Sequence, residues 1–381
     1  MTDLSIRMIE RLNEVDRDAW DAVANPPGAA YDPFLSWDYL EALESSGSAV
    51  AETGWGPRHL LAEDRQGSLI GALPLYLKGH SYGEYVFDHA WANALERAGG
   101  RYYPKLLTAV PFTPATGRRV LTQESEIAQL LIQAARQAAR EMNTSGWNVL
   151  FPTICDRDTL TEAGLMARQD IQYIFQTEDY GDYEDFLAAL SSRKRKALRK
   201  ERKTAQEGIV IKQLSGTSLT DAHWDFFYAC YQDTGARKWG TPYLNREFFR
   251  IIHARMADKI LLVVAEREDN LVASALNFIG SETLFGRYWG CLEDHDSLHF
   301  ELCYHQAVDY ALAHGLKRVE AGAQGSHKLA RGYRPQLVYS AHDIVHPGLR
   351  DAVEHFLSQE RPAVEAERLA LESETPYKND A

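Results

Sequence analysis

Four side chains able to carry charge or move protons, His327, Lys328, Arg331 and Arg334, fall within eight residues. A short strand pattern at 317–321 leads into this stretch, with glycines at 322, 325 and 332, and a second strand pattern at 336–342 leaves it. Glycine permits positive φ and close approach of backbone to a ligand. Cations on such a loop suit an anionic substrate or a developing oxyanion. A glycine-rich turn with solvated charges has the same composition, but other stretches point to the same kind of ligand.

The segment 191–203 holds eight Lys or Arg and a single acid, Glu201. It follows an apolar start (Phe186, Leu187, Leu190) and meets no breaker before Gly208, which predicts one helix over 183–207. On that helix Arg195, Arg199 and Arg202 share a face at i, i+4, i+7, and Lys196, Lys200 and Lys203 form the adjoining row. The net charge of −13 argues against general adhesion to nucleic acid, so this face is where a polyanion would be met. Further on, Arg237-Lys238-Trp239-Gly240 follows a helical pattern at 219–233; Arg237 and Trp239 would clamp a substrate carboxylate or end that helix.

Two stretches of the first half have comparable chemistry. Residues 78–104 alternate aromatics with Glu84, Asp88 and His89, a mixture that fits a pocket wall or lid, or a buried capping helix. Residues 109–120 run from a strand into a loop before a helix starting near Glu124. There the backbone N–H groups of Thr116 and Gly117, with Arg118 and Arg119, would cradle a pyrophosphate. The equivalent loop of the second half, 290–297, carries Glu293, Asp294 and Asp296, which would repel one.

Other chemistries find no support. Asp294-His295-Asp296 with His299 and His305 matches no zinc spacing, so no metal is expected. No G-x-S-x-G elbow, P-loop or G-x-G-x-x-G fingerprint occurs. Four scattered cysteines with no C-x-x-C pair suit a reducing, cytoplasmic setting, and neither a signal-peptide run in residues 1–10 nor a bilayer-spanning apolar run is present.

The elements that must position these groups repeat. A hairpin at 59–63 and 68–77 has its counterpart at 260–266 and 271–278, with Ala-Glu before each turn. Each is followed by an amphipathic helix, a glycine and a strand: 124–142, Gly146 and 147–151, then 298–314, Gly315 and 317–321. A repeat of this size in 381 residues means a duplicated domain. We expect an α+β protein of two related domains. The first spans 1–175 and includes the 78–104 excursion; the second spans 176–381 and opens with the basic helix.

These duplicated units resemble the GNAT acyltransferase superfamily, and most of all its FemAB-like branch of predicted N-acyltransferases associated with peptidoglycan biosynthesis or recognition. The resemblance covers nearly the whole chain. It is carried by Pro33-Phe34-Leu35-Ser36-Trp37, Pro74-Leu75-Tyr76-Leu77-Lys78, Gly83-Glu84-Tyr85-Val86-Phe87-Asp88-His89-Ala90-Trp91, Tyr102-Tyr103-Pro104-Lys105, Pro111-Phe112-Thr113-Pro114, the basic helix and Gly322-Ala323-Gln324-Gly325-Ser326-His327-Lys328-Leu329-Ala330-Arg331-Gly332. It implies tandem acyl-CoA N-acyltransferase domains, each a mixed sheet flanked by helices. The implied reaction is acyl or aminoacyl transfer to a primary amine. The donor would be acyl-CoA or an aminoacyl-tRNA and the acceptor a nucleotide-linked peptidoglycan precursor. The Arg/Gln-x-x-Gly-x-Gly/Ala loop of the wider superfamily is absent from 113–119. Within this reading Glu84, Asp88 or His89 would be the base or amine-positioning group. Lys328, His327 and Arg331 would hold an anionic group, and Arg195, Arg199 and Arg202 a polyanion. A coenzyme A-dependent acetyltransferase of a small amine, or a non-catalytic module binding cell-wall precursors or nucleic acid, are the alternatives.

Overall fold

The computed structural model describes residues 4–238, 242–322 and 325–378. The chain forms two compact units, one of residues 1–170 with 337–366 and the other of 171–336 with 367–381. The expected contiguous blocks meeting near residue 176 differ from this arrangement because the last strand and most of the last helix return to the first unit. No helix among the described residues is long and apolar enough to cross a membrane.

In the first unit a meander pairs Ser5–Ile9 with His59–Glu63 and that strand with Leu69–Leu73. Beside it in sequence, a mixed sheet runs Trp55–Pro57, Tyr76–Lys78, Lys105–Thr108, Gly146–Leu150 and the 337–344 part of the last strand. The helix Ser125–Glu141 repeats its apolar side chains at helical spacing. It buries Ile127, Leu131, Ile132, Ala135 and Ala139 against Leu60, Leu106, Trp147 and Val149. The 78–104 excursion contains the helix His89–Arg97, which lays Trp91 and Leu95 against Leu349, Val353 and Leu357.

In the second unit the sheet order is 171–176, Arg318–Glu320, Thr283–Cys291, Asn270–Ile279, Ile260–Arg267 and Val210–Leu214. The strands Ile260–Arg267 and Asn270–Ile279 are apolar along nearly their whole length because both faces of the sheet are covered. Each unit is thus α+β with a mixed sheet flanked by helices. The repeat is inexact: the first unit's hairpin lies in a separate three-stranded sheet, the second unit's within its main sheet.

The single helix expected over 183–207 is two helices, Tyr183–Ala189 and Ser192–Ala205. Leu190 leaves helical geometry because its buried side chain joins the core and its backbone bridges to Tyr377. The charged tail ends in packed structure: Leu371 and Tyr377 reach the same core, and Tyr377 donates a 2.6 Å hydrogen bond to Gly332 O.

Candidate functional site

The second unit contains a cleft that its strand pairing creates. Thr283–Cys291 pairs in parallel with Arg318–Glu320 only from Thr283 to Phe285, then continues without that partner. On its other edge the register with Asn270–Ile279 shifts at Leu276/Asn277. Such a bulge increases twist and re-aims side chains. Between the diverging strands lies an inner cavity of about 110 Å³, with Asn277, Arg287, Tyr288, Cys303 and Tyr304 in its wall. Trp289 and His299 belong both to this wall and to that of an outer cavity of about 470 Å³, whose lip carries Glu293, Asp294 and Asp296.

Lys328 is 1% exposed, donates a 2.7 Å hydrogen bond to Gly322 O, and feels the charge of two residues of the inner wall, Arg287 and Cys303. Burial pushes its ammonium down to about 7, and Arg287 adds to the shift while Cys303 opposes it. The loop turns tightly here. Gly325 takes φ +115°, and a Cβ on it would fall 2.4 Å from the His327 ring. That imidazole is exposed and shares a 2.8 Å hydrogen bond with the phenol of Tyr304. Tyr304 belongs to a π turn, Glu301–His305, set between the helical segments Leu298–Phe300 and Gln306–Ala313. Single π turns insert one residue into a helix and often mark functional sites.

Two buried ion-pair assemblies hold the loop and the π turn. Glu201 takes Arg331 Nε at 3.0 Å and Nη2 at 2.6 Å, and His305 Nε2 at 2.9 Å, while Tyr183 bonds His305 Nδ1 at 2.6 Å. Arg331 also stacks on Phe300, 3.4 Å from the ring centroid. Arg202 contacts Glu301 at 3.0 Å and Asp309 at 2.6 Å, and these partners outweigh burial to raise its pKa.

These contacts correct the sequence expectation for two residues. Arg202 and Arg331, read as substrate-binding, face inward and are consumed by carboxylates. Arg195 is half-buried, and Arg199 is exposed and paired with Glu184. The outward stripe of the helix Ser192–Ala205 is instead Arg193, Lys196, Lys200 and Lys203. All four are exposed and form no ion pair among the described residues. Arg237 lines the outer cavity, paired with Asp233 and donating to Cys291 O at 3.1 Å. Trp239 lies outside the described residues.

The first unit gathers Glu84 and Asp88 in a buried cluster whose cations the sequence reading missed. Lys105 Nζ contacts Glu84 Oε2 at 2.7 Å, Ser81 Oγ at 2.8 Å and Asp88. Lys78 Nζ lies 3.5 Å from the Trp55 ring centroid and 3.8 Å from Glu84 Oε1. Burial raises Glu84 to about 7 against the pull of Lys105, and lowers Lys78 to about 7. The missed signal was a lysine closing one apolar strand (Leu75-Tyr76-Leu77-Lys78) and opening another (Lys105-Leu106-Leu107). His89, at the start of its helix, is exposed and apart from this cluster.

The pyrophosphate cradle expected at 116–119 is not available. Arg118 donates to Val23, Ala24 and Thr122 carbonyls, and the buried Arg119 to those of Leu150, Ala115 and Arg118. The Arg119 and Val120 N–H groups go to the Asp156 carboxylate. Gly117 is bridged to Pro152, with Thr116 half-buried beside it. Among the described residues no group of three or more His, Cys, Asp or Glu could hold a metal ion.

The sequence profile of the FemAB-like family, described as peptidoglycan biosynthesis/recognition, matches residues 11–379. A crystal structure of FemX superposes with a TM-score of 0.56 at 12% identity, covering 89% of this chain and 98% of that one. The C-terminal domain of a putative lysylphosphatidylglycerol synthetase from Agrobacterium fabrum gives 0.54 at 9% identity, covering 91% and 96%. L-PGS from Bacillus licheniformis gives 0.51 at 11% identity, covering 87% and 98%. No curated protein matches. The fold is the tandem GNAT-like arrangement that the resemblance implied.

Proposed function

This chain belongs to the FemAB-like family, and on that premise we propose that the cleft of its second unit transfers an acyl or aminoacyl group from an activated ester to a primary amine. One observation carries the reading: the strand Thr283–Cys291 parts from Arg318–Glu320, and two residues of the wall it opens, Arg287 and Cys303, act on a buried lysine held near neutrality. Amine attack needs the free base and a place for its proton. A lysine poised near 7 can accept that proton at physiological pH, which an ordinary surface lysine cannot. The amine nitrogen bonds the carbonyl carbon, the bond to the donor oxygen breaks, and the Arg287 guanidinium in the inner wall faces the developing oxyanion.

Local charge favours an RNA-borne aminoacyl ester over coenzyme A. The acids at 293, 294 and 296 oppose a diphosphate at the strand-to-helix connection of this unit, and Arg118 and Arg119 are committed in the other. The lysine stripe of the helix Ser192–Ala205 is free to meet phosphates. The name of one similar structure, the C-terminal domain of a putative lysylphosphatidylglycerol synthetase, supports an aminoacyl donor, and the family description supports a peptidoglycan-precursor amine as acceptor.

The test presents the full chain with aminoacyl-tRNA or acetyl-CoA and a muropeptide amine, and follows amide formation by mass. Product is expected with the aminoacyl donor, and Lys328→Met should lower kcat by roughly 10²-fold without loss of folded protein. Product from acetyl-CoA alone would overturn the donor assignment. No amide from either donor would overturn the transferase reading.

A further inference from the structure

The inner cavity wall contains a buried phenol whose hydroxyl is bonded to an exposed imidazole. Tyr304 is 5% exposed, yet its hydroxyl is bonded at 2.8 Å not to a core carbonyl but to His327 Nε2, on an exposed imidazole. The pair therefore links the cavity to solvent through a hydroxyl that both donates and accepts and a ring nitrogen that donates when protonated and accepts when not. Its surroundings are aromatic: Phe300, Tyr333 and His299 rings lie 6.3, 5.6 and 5.6 Å from the Tyr304 ring. The nearby cation is Arg331, 5.9 Å from that ring and neutralised by Glu201; Cys303 adjoins in the chain. The π turn sets Tyr304 in the cavity wall while His305, the next residue, turns to Glu201.

Amine attack on an ester creates two proton problems. The incoming nitrogen must lose a proton, which Lys328 takes in the reading above, and the departing oxygen must gain one. An alkoxide such as a ribose oxygen is a poor leaving group without that second proton. We infer that Tyr304 and His327 form a proton relay that delivers it. As the bond from carbonyl carbon to donor oxygen breaks, that oxygen takes the Tyr304 hydroxyl proton. The phenolate is refilled from protonated His327, and the imidazole from solvent. Bonds and charges balance with no further reactant, because the proton that Lys328 accepted returns to solvent after product leaves.

The inference rests on the acyl-transfer reading, and the experiment separates the two. Wild type, Tyr304→Phe and His327→Ala are compared with an alkyl-ester donor and with an aryl-ester donor, whose leaving group needs no proton. Tyr304→Phe should lower kcat by roughly 10²-fold with the alkyl ester, leave KM within about twofold, and change the aryl-ester rate by under about threefold. His327→Ala should lose activity with the alkyl ester and regain it with added imidazole. Equal losses on both donors would make Tyr304 structural, and wild-type rates in both variants would remove the relay; either overturns it. Absence of wild-type turnover would instead sink the transfer reading. A turnover-independent check is the ¹⁵N spectrum of the His327 ring: Tyr304→Phe should shift it, and an unmoved ring overturns the relay.

Discussion

Glu201 grips Arg331 with both carboxylate oxygens, at 3.0 and 2.6 Å, and the oxygen nearer Nε also takes His305 at 2.9 Å. One acid in an otherwise cationic helix thereby fixes two elements, the loop that carries Lys328 and the π turn that carries Tyr304. Burial alone would raise its pKa, but the bonds from His305 and Arg331 outweigh it, so the acid stays ionised.

Removing that acid leaves Arg331, 7% exposed, as an unpaired buried charge. Glu201→Ala should therefore destabilise the chain by roughly 3 kcal/mol in urea unfolding. Glu201→Met with Arg331→Met should be milder than either single change, because no charge is then stranded. Additive losses in the double variant would show that the pair is not coupled.

Lys328 predicts a pH dependence with a definite sign. Its folded pKa of about 7 lies below the ordinary 10.5, so between these values the unfolded chain binds a proton that the folded chain does not. Its contribution to stability is present above pH 10.5 and is lost as pH falls through 7. Lys328→Met should therefore gain more over wild type at pH 6 than at pH 9. Competitive labelling across pH should give Lys328 a midpoint near 7 in place of the ordinary 10.5. In turnover the same group gives kcat/KM an acid limb near pH 7; a flat profile from pH 6 to 9 would remove Lys328 as the base.

How much of this was legible follows from what each signal depends on. The duplicated hairpin–helix–strand order and the Gly322–Gly332 loop are local patterns, and periodicity and glycine spacing disclose them. Partner choice is not local. Arg202 and Lys203 are adjacent and alike in type, yet one meets Glu301 and Asp309 and the other faces water. Only the helix's rotation decides, and Leu198 and Ala205, both buried, set it. Arg118 and Arg119 likewise look like a cradle until the carbonyls of residues far away in sequence claim them. Tyr304 was invisible because a π turn shifts the phase of every residue after it, which a 3.6-residue repeat cannot anticipate.

The rotation gives a further test. Arg193, Lys196, Lys200 and Lys203 occupy i, i+3, i+7 and i+10, one stripe of the helix. Lys196→Glu with Lys200→Glu should weaken binding of single-stranded RNA and flatten its salt dependence, from a log–log slope of roughly −3 if all four bind phosphates. Arg202→Ala should lower stability and barely change that affinity. The reverse pattern would restore the arginine row as the docking face.

The buried cluster of the first unit makes the last prediction. Lys105 faces Glu84 and Asp88 together, so Lys105→Met strands two carboxylates and should destabilise by about 3–5 kcal/mol, and adding Glu84→Gln should recover part of it. Glu84 is raised from 4.5 to about 7, so the stability it contributes is complete below pH 4.5 and is lost as pH rises through 7. Lys78, lowered to about 7, acts in the opposite sense above that pH, contributing more as pH climbs toward 10.5. The two slopes meet near neutrality. Urea midpoints of the wild type against Glu84→Gln should therefore converge at pH 5 and separate in favour of the variant by pH 8, while Lys78→Met should gain most below pH 7 and lose most of that gain by pH 10. A Glu84→Gln difference that does not change with pH would mean that Glu84 stays ionised throughout, with Lys105 alone outweighing its burial.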